Sequence, residues 1–228
     1  MGCGYPGPGR GLPRRTTVSG VPVQPPAALR SLLARRAVAG RDPVELAREV
    51  VASGCLVALE GGDAGLVERI GDAGLAAATE LTVRIDASPA LAALAVDVGL
   101  SVALSGSAGA VDAVRLPGAR ILVPAGEPGA ENRCRALADR RVRLVAGRGH
   151  GADLSFVRCL NVLMAGKGHA GIAVSDPRLI AIAGERAAWN GRASDSWELV
   201  MPYGELVSER RRLVAAGTAV RVGVGGRS

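Results

Sequence analysis

Eight short runs of aliphatic and β-branched residues recur at intervals of about twenty to thirty residues, at 55–60, 80–86, 100–105, 119–124, 141–147, 170–176, 197–203 and 219–224. Most are apolar along nearly their whole length, as parallel strands buried on both faces must be. Between them lie Ala-rich stretches with helical punctuation. Eight strand-then-helix units predict a closed (β/α)8 barrel of the TIM type, because an open doubly wound sheet has fewer strands and a Gly-rich phosphate turn after the first. Only Gly225, Gly226, Arg227 and Ser228 follow the eighth run. The reading therefore expects the last helix to be missing, one stave to lie uncovered, and the chain to self-associate through it.

The helix signals are local and physical. Asp42 and Pro43 pair a capping carboxylate with a proline suited to the first turn, and Gly54 ends the stretch that they open. Asp176 and Pro177 repeat that order after the sixth run, and Gly191 is the expected stop. Asp153 opens a face of Leu154, Val157, Leu160 and Met164 that Gly166 closes. Upstream, Leu29, Leu32, Leu33 and Ala37 share one helical face. Residues 1–26 are rich in Gly, Pro and Arg with no hydrophobic period, and read as a disordered tail ahead of a single barrel domain at 27–228.

Composition narrows the function classes. The chain has 228 residues and a formal net charge of +7, and Lys167 is its only lysine. The arginines are dispersed among acidic residues, and only 2% of the chain is aromatic, so a basic stripe with stacking rings, and with it nucleic acid as a partner, is not expected. Cys3, Cys55, Cys134 and Cys159 lie far apart with no CxxC spacing and read as free thiols, with no metal site. No apolar run reaches the roughly 20 residues of a membrane span, and a cytoplasmic location is expected.

In a barrel of this kind chemistry belongs at the C-terminal ends of the strands. The candidates there are Glu60, Arg84, Asp86, Ser105, Pro124, Arg143, Ser175, Asp176 and Tyr203, with Arg148 and His150 in the loop after the fifth strand. Two sharper motifs dissolve on inspection. Gly166, Gly168 and Gly171 spell GxGxxG, but they follow a helix and precede a strand, the reverse of what a dinucleotide pyrophosphate needs, so they read as a connecting loop. His169 with Ser175 and Asp176 has the composition of a hydrolase triad, but His169 belongs at the opposite end of the sixth strand.

The later segments resemble the proline dehydrogenase family. CRALA at 134–138 followed by RVRLVAG at 141–147 is similar to that family's RLVKGAY strand, IAVSDPRLI at 172–180 to its IATHDPRLI, and WELVMPYG at 197–204 to its FEFQMLYG. RRLVAAG at 211–217 and VRVGV at 220–224 continue the match, and ARRAVAGRD at 34–42 resembles the helix that leads into the family's first strand. Order and spacing agree over about 190 residues. The resemblance implies a flavoprotein that oxidises L-proline, or a similar small molecule, to 1-pyrroline-5-carboxylate with FAD as hydride acceptor. Carried over residue by residue, it assigns Arg143, Gly147, Ser175, Asp176 and Tyr203 to the cofactor.

This chain also departs from the family pattern. Ala146 stands where the family has lysine, Arg148 and Gly149 stand for its Ala-Tyr, and Pro124, Ala125 and Gly126 stand for its Gln-Ala-Tyr. Val174 and Ser175 replace its Thr-His. The arginine pair that clamps the proline carboxylate belongs to the family's eighth helix and has no counterpart here, so no catalytic residue is assigned. Two readings follow: a weakened proline dehydrogenase-like flavoprotein, acting alone or completed by a partner subunit, or a catalytically inactive barrel that acts as a binding or interaction protein.

Overall fold

A computed structural model describes residues 40–114, 116–147 and 151–225, together with Met1. The eight apolar runs form eight strands: β1 Leu56–Glu60, β2 Thr79–Arg84, β3 Ser101–Ser105, β4 Arg120–Pro124, β5 Val142–Val145, β6 Ala170–Ala173, β7 Trp197–Pro202 and β8 Val220–Val224. All neighbours pair in parallel, and β8 pairs with β1, so the sheet closes into a barrel. Closure removes every edge strand. The helices are α1 Pro43–Ala52, α2 Ala64–Asp72, α3 Pro89–Asp97, α4 Ala108–Ala113, α5 Ala130–Ala136, α6 Ala152–Ala165, α7 Pro177–Trp189 and α8 Val207–Ala215, with α2 to α8 each following one strand.

The expected punctuation is present at the starts of α1 and α7, whereas Gly151 rather than Asp153 caps α6, and Leu154, expected on its apolar face, is exposed. The Asp42 carboxylate accepts from the Val44 amide at 3.3 Å with Pro43 in the first turn, and the Asp176 carboxylate accepts from the Arg178 amide at 2.8 Å with Pro177 in the same role. The predicted tail at 1–26 and the helix face at Leu29–Ala37 lie outside the described residues, apart from Met1.

One expectation is corrected. The face over β8 and β1 is not bare, because α1, which precedes β1 in the chain, packs against both strands and against α2. It buries Val44, Leu46, Ala47 and Val50 there, and the Asp42 carboxylate accepts two bonds from the Arg69 guanidinium of α2 at 2.7 and 2.8 Å. A helix from the amino side of the barrel occupies the place that a helix after β8 has in a complete set of eight. With β8 paired on both sides and covered, the stated ground for self-association is gone.

The apolar core lies between sheet and helices. Val57, Leu59, Leu81, Val102, Leu144, Ile172, Leu199 and Val222 alternate along their strands and face outward to α1–α8. The other face of each strand lines the barrel and carries a different chemistry. Leu46, wholly buried, anchors α1. Leu46→Ala should destabilise the chain by about 2–5 kcal/mol in urea unfolding, as deletion of a packed aliphatic side chain does; a change under about 1 kcal/mol would show that α1 does not hold the β8–β1 face.

Candidate functional site

Barrels of this class usually fill their interior with branched aliphatic side chains. Here the inward positions alternate small residues with charged ones. The register sets Ala58 beside Glu80, Glu80 beside Ser101, Ala103 beside Arg120, Arg143 beside Gly171, Gly171 beside Glu198, and Val200 beside Arg221. The small side chains leave the volume that the guanidinium groups take up. Gly171 shows how tightly: a Cβ on it would come within 2.8 Å of Arg120 Nη1.

These charges form one chain of ion pairs. Glu60 pairs with Arg143 at 3.1 Å, Arg143 with Glu80, Glu80 with Arg120 at 2.7 Å, Arg120 with Glu198 at 3.0 Å, and Glu198 with Arg221 at 2.9 Å. Carboxylate and guanidinium alternate, so every interior member of the chain has an opposite charge on both sides. Arg120 and Glu80 are fully buried, and Arg143, Glu198 and Arg221 are buried as well. Arg143 also donates to Thr82 Oγ1 at 3.2 Å, and Arg221 to the Val57 carbonyl at 2.8 Å.

The electrostatics follow from that arrangement. Burial pushes the Glu80 carboxyl up, but the guanidinium groups of Arg120, Arg143 and Arg221 outweigh it and hold the group down at about 2. Glu198 is shifted downward by the same contest, chiefly between its burial and the charge of Arg120. His169 faces Arg120 with Nδ1 at 3.2 Å from Nη1; burial, and then the charge of Arg120, lower it to about 4.

The candidates divide accordingly. Arg143 is 1% exposed, with Glu80, Glu60 and Thr82 around its guanidinium. The Tyr203 hydroxyl donates to Glu49 at 2.8 Å and accepts from Arg41 at 2.9 Å, which ties the end of β7 to α1. Asp176 caps α7 and binds Arg178 at 3.0 Å, an arrangement that lowers its carboxyl. Gly147 lies against Gly126, whose backbone a Cβ on Gly147 would meet at 3.2 Å. Ser175 is half-buried. Asp86 accepts from the Ser107 amide at 3.2 Å, the Ser105 hydroxyl donates to the Val83 carbonyl, and Arg84 and Pro124 are exposed. Arg148 and His150 lie outside the described residues.

Cavities of about 650 and 310 Å³ open at Gly62, Asp63 and Arg69 and at Val111, Ile121 and Arg133, and neither is lined by Arg143, Gly147, Ser175, Asp176 or Tyr203. As they stand, three of these five residues leave a flavin little to bind: the guanidinium of Arg143 is already matched by carboxylates, and the polar groups of Tyr203 and Asp176 are engaged by Arg41, Glu49 and the first turn of α7.

The readings of the two motifs hold. A Cβ on Gly166 would meet the Ala138 carbonyl oxygen at 2.3 Å and one on Gly168 the Arg140 oxygen at 2.0 Å, so these glycines answer to a neighbouring loop. His169 immediately precedes β6, whereas Ser175 and Asp176 follow it. Cys55, Cys134 and Cys159 are free and buried, and Cys3 is not among the described residues. Sequence reading missed Glu80, Arg120, Glu198 and Arg221. Their signal was a charge inside an otherwise apolar run, alone in the runs of Arg120, Glu198 and Arg221 and beside Arg84 and Asp86 in that of Glu80.

Among solved structures, the fold is similar to proline utilization A from Bdellovibrio bacteriovorus inactivated by N-propargylglycine, with a TM-score of 0.69 and 14% identity over 85% of this chain and 31% of that one. It is also similar to a variant of proline utilization A from Bradyrhizobium japonicum, with a TM-score of 0.56 and 16% identity over 75% of this chain and 26% of that one. A bifunctional proline utilization A protein gives a TM-score of 0.56 at 18% identity over the same shares. The chain thus spans about a quarter to a third of the length of these proteins. At such identities the likeness establishes the shared barrel fold. No family model and no curated protein sequence matches the chain. Among the described residues no helix is long and apolar enough to cross a membrane.

The ion-pair chain makes stability pH-dependent in a definite direction. His169 takes a proton near 6.5 when unfolded but only near 4 when folded, so stability falls as pH drops from 6.5 to 4. Glu80 and Glu198 have depressed folded values, so their contribution, present above the ordinary 4.5, is lost as pH falls from there toward 2. Urea midpoints measured from pH 7 downward should decline in two stages, and His169→Gln should remove the first. A midpoint that is flat from pH 7 to 4, or a first stage unchanged in the variant, would contradict this electrostatic account.

Proposed function

We propose that this chain is a proline dehydrogenase-like barrel that acts as a catalytically inactive binding or interaction protein in the cytoplasm. The observation that carries the reading is the state of Arg143. The resemblance assigns this side chain to the flavin, yet its charge is matched by Glu80 and Glu60 inside the barrel wall. A cofactor would have to displace a carboxylate from a buried guanidinium, which costs several kcal/mol when the displaced partner stays buried.

A second reading, a weakened flavoprotein that oxidises L-proline to 1-pyrroline-5-carboxylate with FAD, is favoured by one detail. The Glu60 side chain is 38% exposed, so one partner of Arg143 can swing into solvent and be replaced by a ligand at far lower cost than Glu80.

The purified full chain distinguishes the two. It should be colourless, show no flavin absorbance after dialysis against excess FAD, and reduce no dye acceptor with L-proline as electron donor. A yellow protein with about one flavin per chain, bleached by L-proline, would overturn the inactive reading in favour of the second.

A further inference from the structure

The N-terminal end of the barrel presents a cation that the ion-pair chain does not neutralise. The register pairs Ile121 with Val142 and Val142 with Ala170, so Arg120, Arg141 and His169, each one position earlier, are neighbours across three adjacent strands. Backbone bonds fix this rung: the Ile121 amide donates to the Arg141 carbonyl at 2.9 Å, and the Val142 amide to the His169 carbonyl at 3.0 Å. By alternation Arg141 shares the inward face of Arg143, and His169 that of Gly171.

Around this rung stand three guanidinium groups, those of Arg120, Arg141 and Arg221, and the two carboxylates of Glu80 and Glu198. Arg120, Arg143 and Arg221 each have a carboxylate partner, and Arg141 has none among the described residues. No carboxylate side chain is hidden elsewhere, because residues 2–39, 115, 148–150 and 226–228 contain neither Asp nor Glu. Arg141 Nε is buried without a hydrogen-bond partner. Arg192, in the neighbouring loop, adds another cation whose guanidinium, among the described residues, meets the carbonyls of Gly166, Gly168 and Ser196. The Asp139 carboxylate accepts from the Lys167 amide at 3.1 Å.

The tautomer of His169 follows from its neighbour. A guanidinium can only donate, so Nδ1, 3.2 Å from Arg120 Nη1, accepts, and the ring proton of neutral His169 sits on Nε2. Arg141 and His169 are both half-buried and open to solvent at this end of the barrel. Burial and the charge of Arg120 lower the basicity of both groups, and outweigh the nearby carboxylates of Glu80 and Glu198, which act the other way.

We propose that the Arg141–His169 rung binds a small oxyanion, received by the Arg141 guanidinium and the His169 Nε2–H. One negative charge there offsets the excess cation, and a planar guanidinium suits a phosphate or a carboxylate equally well. The site lies at the opposite end of the barrel from the strand ends where the resemblance points, so it stands whichever reading of Arg143 holds.

The test uses the full chain and inorganic phosphate. Thermal unfolding in chloride buffer, with phosphate added at constant ionic strength, should show a saturable rise in Tm, because a ligand that binds only the folded state stabilises it by mass action. Acetate in a parallel arm separates a preference for phosphate from one for carboxylate. Arg141→Gln should abolish the rise while leaving Tm in chloride unchanged or higher, since it removes a cation without a carboxylate partner. Should that variant fail to fold, the ¹⁵N ring resonances of His169, identified by their loss in His169→Gln, should still shift on phosphate titration of the unaltered protein. No rise with either anion beyond that in chloride, a rise that survives Arg141→Gln, or His169 resonances that do not move would each overturn the site.

Discussion

Charge placed inside a closed barrel has to be neutralised where it stands, and the rest of this structure follows from that constraint. Removing a carboxylate or a guanidinium from water costs several kcal/mol per ion, and a single buried pair often fails to recover it. The alternating run from Glu60 to Arg221 gives each interior charge two opposite neighbours. It therefore comes closer to balance than isolated pairs would. The small residues that face the barrel, among them Ala58, Ala103 and Gly171, are the steric counterpart of that network. A one-residue slip of any charged strand would turn its charge outward into the apolar layer beneath the helices, so the network also fixes strand register.

The eight strands were legible because buried parallel strands require unbroken aliphatic runs, and the capped helices because Asp-Pro and Gly mark their ends by local chemistry. The interior network was not legible, although its residues are visible as single charges within 120–124, 142–145, 197–202 and 220–224 and as Glu80 beside Arg84 within 79–84. Pairing them needs the register of strands far apart in sequence: Arg143 meets Glu80 across 63 residues. The same limit hid the role of α1. Its amphipathic face is plain in the residues, but nothing local says that it packs on the last strand as well as the first. Arg143 was identified as a rim residue by resemblance, while its partners, which decide what it can do, lie on β1 and β2.

Function follows from how the two ends of the barrel differ. At the C-terminal end, the groups that a cofactor would use are occupied: Arg143 by carboxylates, Tyr203 by Arg41 and Glu49, and Asp176 by its helix. At the N-terminal end, Arg141 and His169 are half-buried, and Arg141 has no carboxylate partner among the described residues. A fold shared with proline utilization A proteins thus carries its polar side chains in a pattern of its own, which is why site residues rather than fold must decide the activity.

The central claim is that the interior charges stabilise the barrel jointly, and a double-mutant cycle between Glu80 and Arg120 measures it most directly. Glu80→Gln and Arg120→Met each leave buried charge without its partner, and each should cost about 3–5 kcal/mol in urea unfolding. The double variant should cost less than the sum by at least about 1.5 kcal/mol, because residues within one network couple. Additive losses, or single losses below about 1 kcal/mol, would contradict the account.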